Sequence, residues 1–165
     1  MSRFFFSLLA LFLVIFFLPF AAAIPATPGA QIAPAEKAYL ESALTFLSKN
    51  FEATKDIGKY IDQLDDSSPE TQKDVSKAIL RAHLLNGMGL LEYSRVPLPP
   101  KFRDLDKKIR RSSAIRTKAF REILRFWDDS QPAHVTKGFK ILQAAIILDN
   151  ESLNILNTQM ELLPR

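Results

Sequence analysis

The sequence has no cysteine, and this absence excludes several kinds of chemistry. Disulfide bonds, thiolate catalysis, cysteine-ligated zinc, iron–sulfur clusters and covalently attached c-type haem all require cysteine. Glycine is also scarce, with five residues, and the ten prolines lie mostly between stretches of helical periodicity. A chain of 165 residues can bury a core without a disulfide or a metal. We therefore expect long helices that are held together by packing alone.

The sequence also lacks the short motifs of common enzymes and cofactor sites. It contains no G-x-S-x-G nucleophile turn and no G-x-x-x-x-G-K phosphate loop. Its two histidines, His83 and His134, are not part of the Glu-x-x-His pairs that di-iron bundles need. Neither histidine has a methionine placed across the core as a second haem ligand. We expect no metal, no cofactor and no enzymatic activity.

The first 23 residues have the pattern of an export signal. Arg3 precedes an apolar stretch over residues 4–20, and Ala21-Ala22-Ala23 offers a small-residue cleavage site. The sequence therefore predicts cleavage after Ala23 and a secreted or periplasmic protein. The alternative is a retained single-pass anchor with the rest of the chain outside, because the apolar stretch is long enough to span a bilayer.

Four stretches further along have the four-three apolar spacing that keeps one helix face against a partner helix. They follow a proline-rich tether, residues 24–34, and short connections between them force neighbouring helices to be antiparallel. The prediction is an all-α, antiparallel up-down four-helix bundle over residues 35–165. The runner-up is an open pair of helical hairpins that closes on dimerisation. The predicted helices cover residues 35–64, 69–93, 100–127 and 135–163.

The second predicted helix is the least regular of the four. Gly87 and Gly89 lie inside it, and each glycine costs a helix interior about 1 kcal/mol relative to alanine. We interpret them as a close approach of a neighbouring backbone or a kink, with room for a ligand as the alternative. The predicted inner face of this helix consists of Val75, Ile79, Ala82, Leu85 and Met88, widened by Leu80, Leu84, Leu90 and Leu91.

Polar residues inside the seams predict a polar layer in the core. When the last two helices are folded about their connecting turn, Asp149 lies level with Ser112 and one step from Arg116. A lone carboxylate in an apolar seam is unfavourable, so we expect Arg116 and Asp149 to be paired. The same arithmetic at the other two turns adds His83 and Asn50. We interpret the layer as a device that fixes helix register, with an active or ligand site as the alternative.

Basic residues are concentrated in the third predicted helix. Between Lys101 and Arg125 there are ten basic residues and three acidic ones, an excess of seven positive charges, whereas the whole chain has +4. A basic helix face suits an anionic membrane surface or an acidic protein, although acidic residues of a neighbouring helix could neutralise it. Nucleic acid is not expected, because the aromatic residues of this helix cluster at one end. The predicted docking face consists of Lys101, Lys108, Arg111, Lys118, Arg121 and Arg125.

Together these patterns predict an exported, non-enzymatic helical protein that interacts with a partner. Its partner would be an acidic protein or an anionic envelope surface, bound through the basic helix at residues 100–127. The alternative is a helical bundle that binds a small molecule or cofactor with the polar layer in its core.

Overall fold

The computed structural model describes residues 33–58 and 69–161, and the regular structure of these residues is entirely helical. The predicted all-α class is confirmed. The predicted export signal, nearly all of the tether, and the predicted ends of the first and last helices at residues 59–64 and 162–163 lie outside the described residues. The long helices are α1 (Pro34–Gly58), α2 (Pro69–Tyr93), α3 (Arg103–Leu124) and α5 (Pro132–Met160). A 3₁₀ turn, Pro100–Phe102, precedes α3, and the four-residue helix α4 (Phe126–Asp129) follows it.

Proline determines where several helices begin and end. Pro34, Pro69 and Pro132 are the first residues of α1, α2 and α5, where a missing N–H removes no helical hydrogen bond. Between α2 and α3, three prolines at residues 97–100 prevent the helix from continuing. Ser130 then ends α4 in a left-handed conformation, with φ of 57°, and directs the chain into α5.

Each long helix packs against the next one along the chain, and α1 also packs against α5. The contact between α3 and α5 is the most extensive. Gly138 makes it possible, because a Cβ atom at this position would lie 2.3 Å from Cγ1 of Ile123 and 3.0 Å from the backbone oxygen of Ala119. The backbones of the two helices therefore approach more closely than any larger residue permits.

The core consists of two apolar clusters with buried polar side chains between them. One cluster joins the later part of α1 and α3 to the earlier part of α2 and α5, and it includes Ile57, Ile79 and Phe120. The other cluster lies at the opposite ends of these helices and includes Leu40 and Leu156. Every long helix contributes to the polar layer between them. Its buried members are Asn50, Asn86, Ser112, Ser113, Arg116, Asp149 and Ser152.

The face that α2 presents to the core differs from the predicted one. Its buried positions are Val75, Ile79, Ala82, Asn86, Gly89 and Tyr93, which alternate steps of four and three. Gly89 determines this register, because Phe46 of α1 packs against it and a Cβ atom there would lie 2.9 Å from the ring. Four side chains that were predicted to face the core are instead exposed, so the prediction is wrong for them: Leu80, Leu84, Met88 and Leu91.

Candidate functional site

An ion pair between α3 and α5 forms the centre of the polar layer. Nη2 of Arg116 donates a hydrogen bond to Oδ2 of Asp149, and the hydroxyl of Ser112 is within hydrogen-bonding distance of Oδ1. The side chains of Arg116 and Asp149 are only 1% and 8% exposed. The structure thus brings together three of the five residues of the predicted layer, and the carboxylate has both a cation and a hydroxyl as partners.

Asn86, which sequence reasoning missed, is the member of the layer that α2 contributes. Its Nδ2 donates to the backbone oxygen of Ser113 at 3.2 Å and to Oγ1 of Thr117 at 3.0 Å. Its Oδ1 accepts a hydrogen bond from Oγ of Ser113 at 3.1 Å. His83 does not join these hydrogen bonds. It is half-buried, and its ring lies edge-on to that of Phe120, with 6.3 Å between the centroids.

Asn50 lies in the layer with hydrogen-bonding capacity left over. Oδ1 and Nδ2 of Asn50, and Nε and Nη1 of Arg116, have no hydrogen-bond partner within the described part of the chain. Buried polar atoms of this kind are commonly satisfied by internal water, which needs two to four polar partners. Asn50 and Arg116 therefore retain hydrogen-bonding capacity that no described residue uses.

A second buried network joins α1, α2 and α3 at the end of the core that contains Leu40 and Leu156. The hydroxyls of Tyr39 and Tyr93 are hydrogen-bonded to each other, and Tyr93 donates to Oδ1 of Asp106 at 2.8 Å. Nε of Arg110 donates to Oδ2 of Asp106 at 2.8 Å. Burial raises the pKa of Tyr39 to about 12 and raises the pKa of Tyr93 still further. Both phenols therefore stay protonated, and the neutral hydroxyl of Tyr93 donates to the buried carboxylate of Asp106.

Sequence reasoning also missed this tyrosine network. One signal for it was available, since Asp106 and Arg110 are four residues apart and such pairs meet on a helix surface. The contribution of Tyr93 depends on the register of α2, which the sequence pattern left ambiguous.

Glu122 is the centre of a third cluster, where α3, α4 and α5 meet. It is nearly buried and lies 2.8 Å from Nζ of Lys137 and 2.9 Å from Nδ1 of His134. Nε2 of His134 lies 2.9 Å from Asp129. The Lys137 ammonium and then His134 lower the pKa of Glu122 to about 2. The hydrogen bond to Glu122 in turn raises the pKa of His134.

The predicted basic docking face is divided by the structure. Three of its members contact acidic residues: Lys101 lies 2.7 Å from Glu36, Lys108 contacts Glu151, and Arg125 lies 3.4 Å from Glu122. The other three, Arg111, Lys118 and Arg121, are exposed and contact no carboxylate within the described ranges. Arg103 and Lys107 share these two properties, and the prediction had omitted them.

The exposed bases that remain lie along one face of α3, opposite the buried face. At 100° per residue they fall within roughly a quarter of the helix circumference, centred away from Ile109 and Arg116. Ala114 completes the same face at the position between the two halves. We call this surface the basic ridge and define it as Arg103, Lys107, Arg111, Lys118 and Arg121.

Three further observations concern a surface groove, metal ligation and membrane spans. A groove of about 400 Å³ between α1 and α2 is lined by residues of both charges, including Asp74, Lys77 and Arg81. Within residues 33–58 and 69–161, no three acidic or histidine side chains form a group that could hold a metal ion. None of the helices in this part of the chain is long and apolar enough to cross a membrane.

Comparisons with protein-family models, with curated proteins and with solved structures find no match to this chain. The class of protein is therefore defined by the geometry of the described residues: an all-helical structure with a polar layer in its core and an exposed basic ridge.

Proposed function

We propose that this chain is an exported, non-enzymatic helical bundle that docks on an anionic membrane surface through the basic ridge. The observation that carries the proposal is a set of five cations on one face of α3 that pair with no acid among the described residues. The apolar face of α3 is buried in the core, so the ridge attracts its partner by charge rather than by insertion. An acidic protein is the alternative partner.

An up-down arrangement of the four long helices is part of this proposal. Its support is the composition of the two apolar clusters. One cluster joins the later parts of α1 and α3 to the earlier parts of α2 and α5. The other cluster joins the earlier parts of α1 and α3 to the later parts of α2 and α5. Antiparallel neighbours require this alternation. The packing of α1 against α5 closes the ring of helices and leaves the outer face of α3 free for docking.

The expected strength of docking follows from the number of cations. A lysine or arginine near an anionic bilayer contributes about 1 kcal/mol, and the attraction falls off within about 10 Å at 0.1 M salt. Five such groups on one ridge are sufficient for reversible, salt-sensitive binding. Lys101, Lys108 and Arg125 contribute less, since each is already paired with an acid.

Vesicle co-sedimentation tests the proposal with a matched control. We expect the protein to bind vesicles that contain phosphatidylglycerol at low salt and not to bind pure phosphatidylcholine. Changing Arg111, Lys118 and Arg121 to glutamate should abolish this binding while the melting temperature stays nearly unchanged, because exposed charges contribute little to stability. The control variant carries Lys55→Glu, Lys73→Glu and Arg95→Glu, which change the net charge equally at exposed positions outside the ridge.

The possible outcomes separate the alternatives. Equal loss of binding in both triple variants would assign the attraction to net charge and reject the ridge. Ridge-dependent capture of an acidic protein, without any vesicle binding, would replace the membrane by a protein partner. Binding that persists in the ridge variant and in high salt would refute the docking proposal.

Export by the N-terminal segment is the remaining part of the proposal. Its support is the order of Arg3, the apolar stretch and the three alanines in the sequence. We expect terminal sequencing of the protein from its own host to find Ile24 as the first residue. Finding Met1 or Ser2 on protein in the membrane fraction would establish a retained anchor instead.

A second candidate function, ligand binding in the polar layer, is favoured by the unpartnered atoms of Asn50 and Arg116. Native mass spectrometry of the protein from its host would reveal such a ligand as added mass. If the layer holds only water, Asn50→Leu should leave the mass unchanged and retain the fold, since an apolar side chain of similar volume removes unsatisfied groups.

A further inference from the structure

We infer that two copies of this chain associate through the outer face of α2. Four large apolar side chains of this helix are exposed: Leu80 by 47%, Leu84 by 63%, Met88 by 60% and Leu91 by 67%. Residues 80, 84, 87 and 91 alternate steps of four and three, so they lie along one face. We call this face the α2 seam and define it as Leu80, Leu84, Gly87 and Leu91, with Met88 beside it.

The spacing of the α2 seam is that of a helix packed against another helix. The inner face of α2 has the same four-three spacing, and α1 and α3 cover it. The helix therefore has two packing faces, and the described chain occupies one of them. A contiguous apolar stripe of three turns is unusual on the surface of a monomer and marks an interaction site.

Gly87 supports the presence of a second helix on this seam. A Cβ atom at Gly87 would have no atom within 4 Å, so the fold of the single chain does not require glycine there. Glycine at an exposed position inside a helix nevertheless lowers helix stability by about 1 kcal/mol relative to alanine. The close approach of another helix backbone explains this position, as the approach of Phe46 explains Gly89.

The seam is complementary to itself, and for this reason we identify the second helix as α2 of another copy. In antiparallel two-fold pairing, a residue on one side of the axis meets the residue that lies equally far on the other side of the axis in the second copy. Rotation about the midpoint between Leu84 and Gly87 places Leu80 opposite Leu91 of the second copy. It also places Leu84 opposite Gly87, so that a large side chain fills a gap on each side of the axis.

The charges beside the seam favour the same antiparallel pairing. Arg81 is exposed and pairs with no acid among the described residues, and Glu92 is exposed and lies 3.0 Å from Lys49. The end-for-end arrangement brings Arg81 near Glu92 of the second copy, twice in each dimer. Parallel pairing would instead leave Arg81 about 16 Å along the helix from Glu92 of the second copy, so this contact would not form. Lys77, one turn earlier, is already paired with Asp74.

The size of the seam sets the expected strength of the dimer. A stable interface commonly buries about 800 Å² per partner, and three turns of one helix supply less than this. We therefore expect a reversible dimer with a dissociation constant in the micromolar range. The basic ridge lies on α3 and the seam on α2, so the dimer forms independently of the docking function.

Sedimentation equilibrium over a range of concentrations tests the dimer in the form of the protein that its host produces. We expect a monomer–dimer equilibrium in the unmodified protein and a monomer in the Leu84→Gln, Leu91→Gln variant. The matched control is Leu98→Gln with Ile147→Gln, which replaces two exposed apolar side chains outside the seam. The control should dimerise normally, and thermal melts should show that all three proteins are folded.

Two further variants test the pairing itself. Gly87→Leu should weaken dimerisation at least tenfold while the monomer stays folded, because the added side chain fills only the space that Leu84 of the second copy occupies. Arg81→Glu should also weaken the dimer, and adding Glu92→Arg to it should restore the association. Failure of the exchange to restore association would reject the antiparallel charge pairing.

The absence of cysteine allows a direct test of orientation. Mixing the single variants Leu80→Cys and Leu91→Cys under oxidising conditions should give mainly the mixed disulfide. Disulfides of each variant with itself would indicate parallel pairing and overturn the inferred arrangement. A protein that stays monomeric at all concentrations, or one whose seam binds phosphatidylcholine vesicles instead, would overturn the dimer.

Discussion

At the scale of single residues, each buried charge in the described part of the chain is neutralised by a specific partner. Arg116 and Asp149 pair in the centre, and at one end Asp106 accepts hydrogen bonds from Tyr93 and Arg110. Glu122 has cationic partners at the other end. Charges without such partners are strongly disfavoured in an apolar core, so each of these contacts limits how the helices can be aligned.

We expect Arg116 and Asp149 to depend on each other for stability. Arg116→Ala or Asp149→Ala leaves an uncompensated buried charge, which costs roughly 3–5 kcal/mol of unfolding free energy. Arg116→Met combined with Asp149→Leu removes both charges and should recover much of this loss. Urea unfolding of the three variants measures these differences. Single variants as stable as the unmodified protein would show that the pair is not buried.

The double variant also separates the two interpretations of the polar layer. If the layer fixes helix register, vesicle docking and dimerisation should survive when both charges are removed. If the layer holds a ligand, the added mass seen in native mass spectrometry should disappear although the fold is restored.

At the scale of elements, glycine has opposite effects in α2 and α5. Gly138 is required by the contact with α3, since a Cβ atom would lie 2.3 Å from Ile123 and 3.0 Å from a backbone oxygen. Gly138→Ala should therefore destabilise the protein by about 1–3 kcal/mol, the usual effect of overpacking. Gly87→Ala meets no atom of the same chain and should stabilise the helix by about 0.5–1 kcal/mol.

Chemical denaturation at low protein concentration compares the two variants without a contribution from dimerisation. Their effects should have opposite signs. If Gly138→Ala were neutral, the close approach of α3 and α5 would have to be revised.

The packing of the helices also explains how much of this structure the sequence could predict. Four-three spacing predicted the all-helical class and placed Ser112, Arg116 and Asp149 in contact, because the short turn between α3 and α5 determines their alignment. The same spacing failed for α2, which has two apolar faces. Periodicity alone cannot decide which of them is buried. The choice depends on the fit between Gly89 and Phe46, a tertiary contact that no local pattern contains.

The candidate sites, like the helices, could be predicted only in part. The bases of α3 were visible in the sequence, but their ion pairs with α1 and α5 were not, because these depend on how the helices are positioned around α3. For this reason the predicted docking face included Lys101 and Lys108 and omitted Arg103 and Lys107. Asn86, and not the predicted His83, lies in the layer because of the register of α2.

At the scale of the whole molecule, stability should depend on pH through the cluster where α3, α4 and α5 meet. The pKa of Glu122 is lowered from 4.5 to about 2, so its stabilising contribution is present above pH 4.5 and is lost between pH 4.5 and 2. The pKa of His134 is raised above 6.5, so its contribution is complete below pH 6.5 and is lost as the pH rises through the raised value.

We therefore expect maximal stabilisation by this cluster between about pH 4.5 and 6.5. In this window the protonated ring of His134 donates to Glu122 of α3 and Asp129 of α4, and it joins both to α5. His134→Gln should lower the melting temperature most in this window and progressively less at alkaline pH, where the unmodified ring has lost its charge. In a Glu122→Gln background the same substitution should have a smaller effect, with only the contact to Asp129 remaining. A difference in melting temperature that stays constant from pH 5 to 9 would show that His134 does not hold the three helices together through its charge.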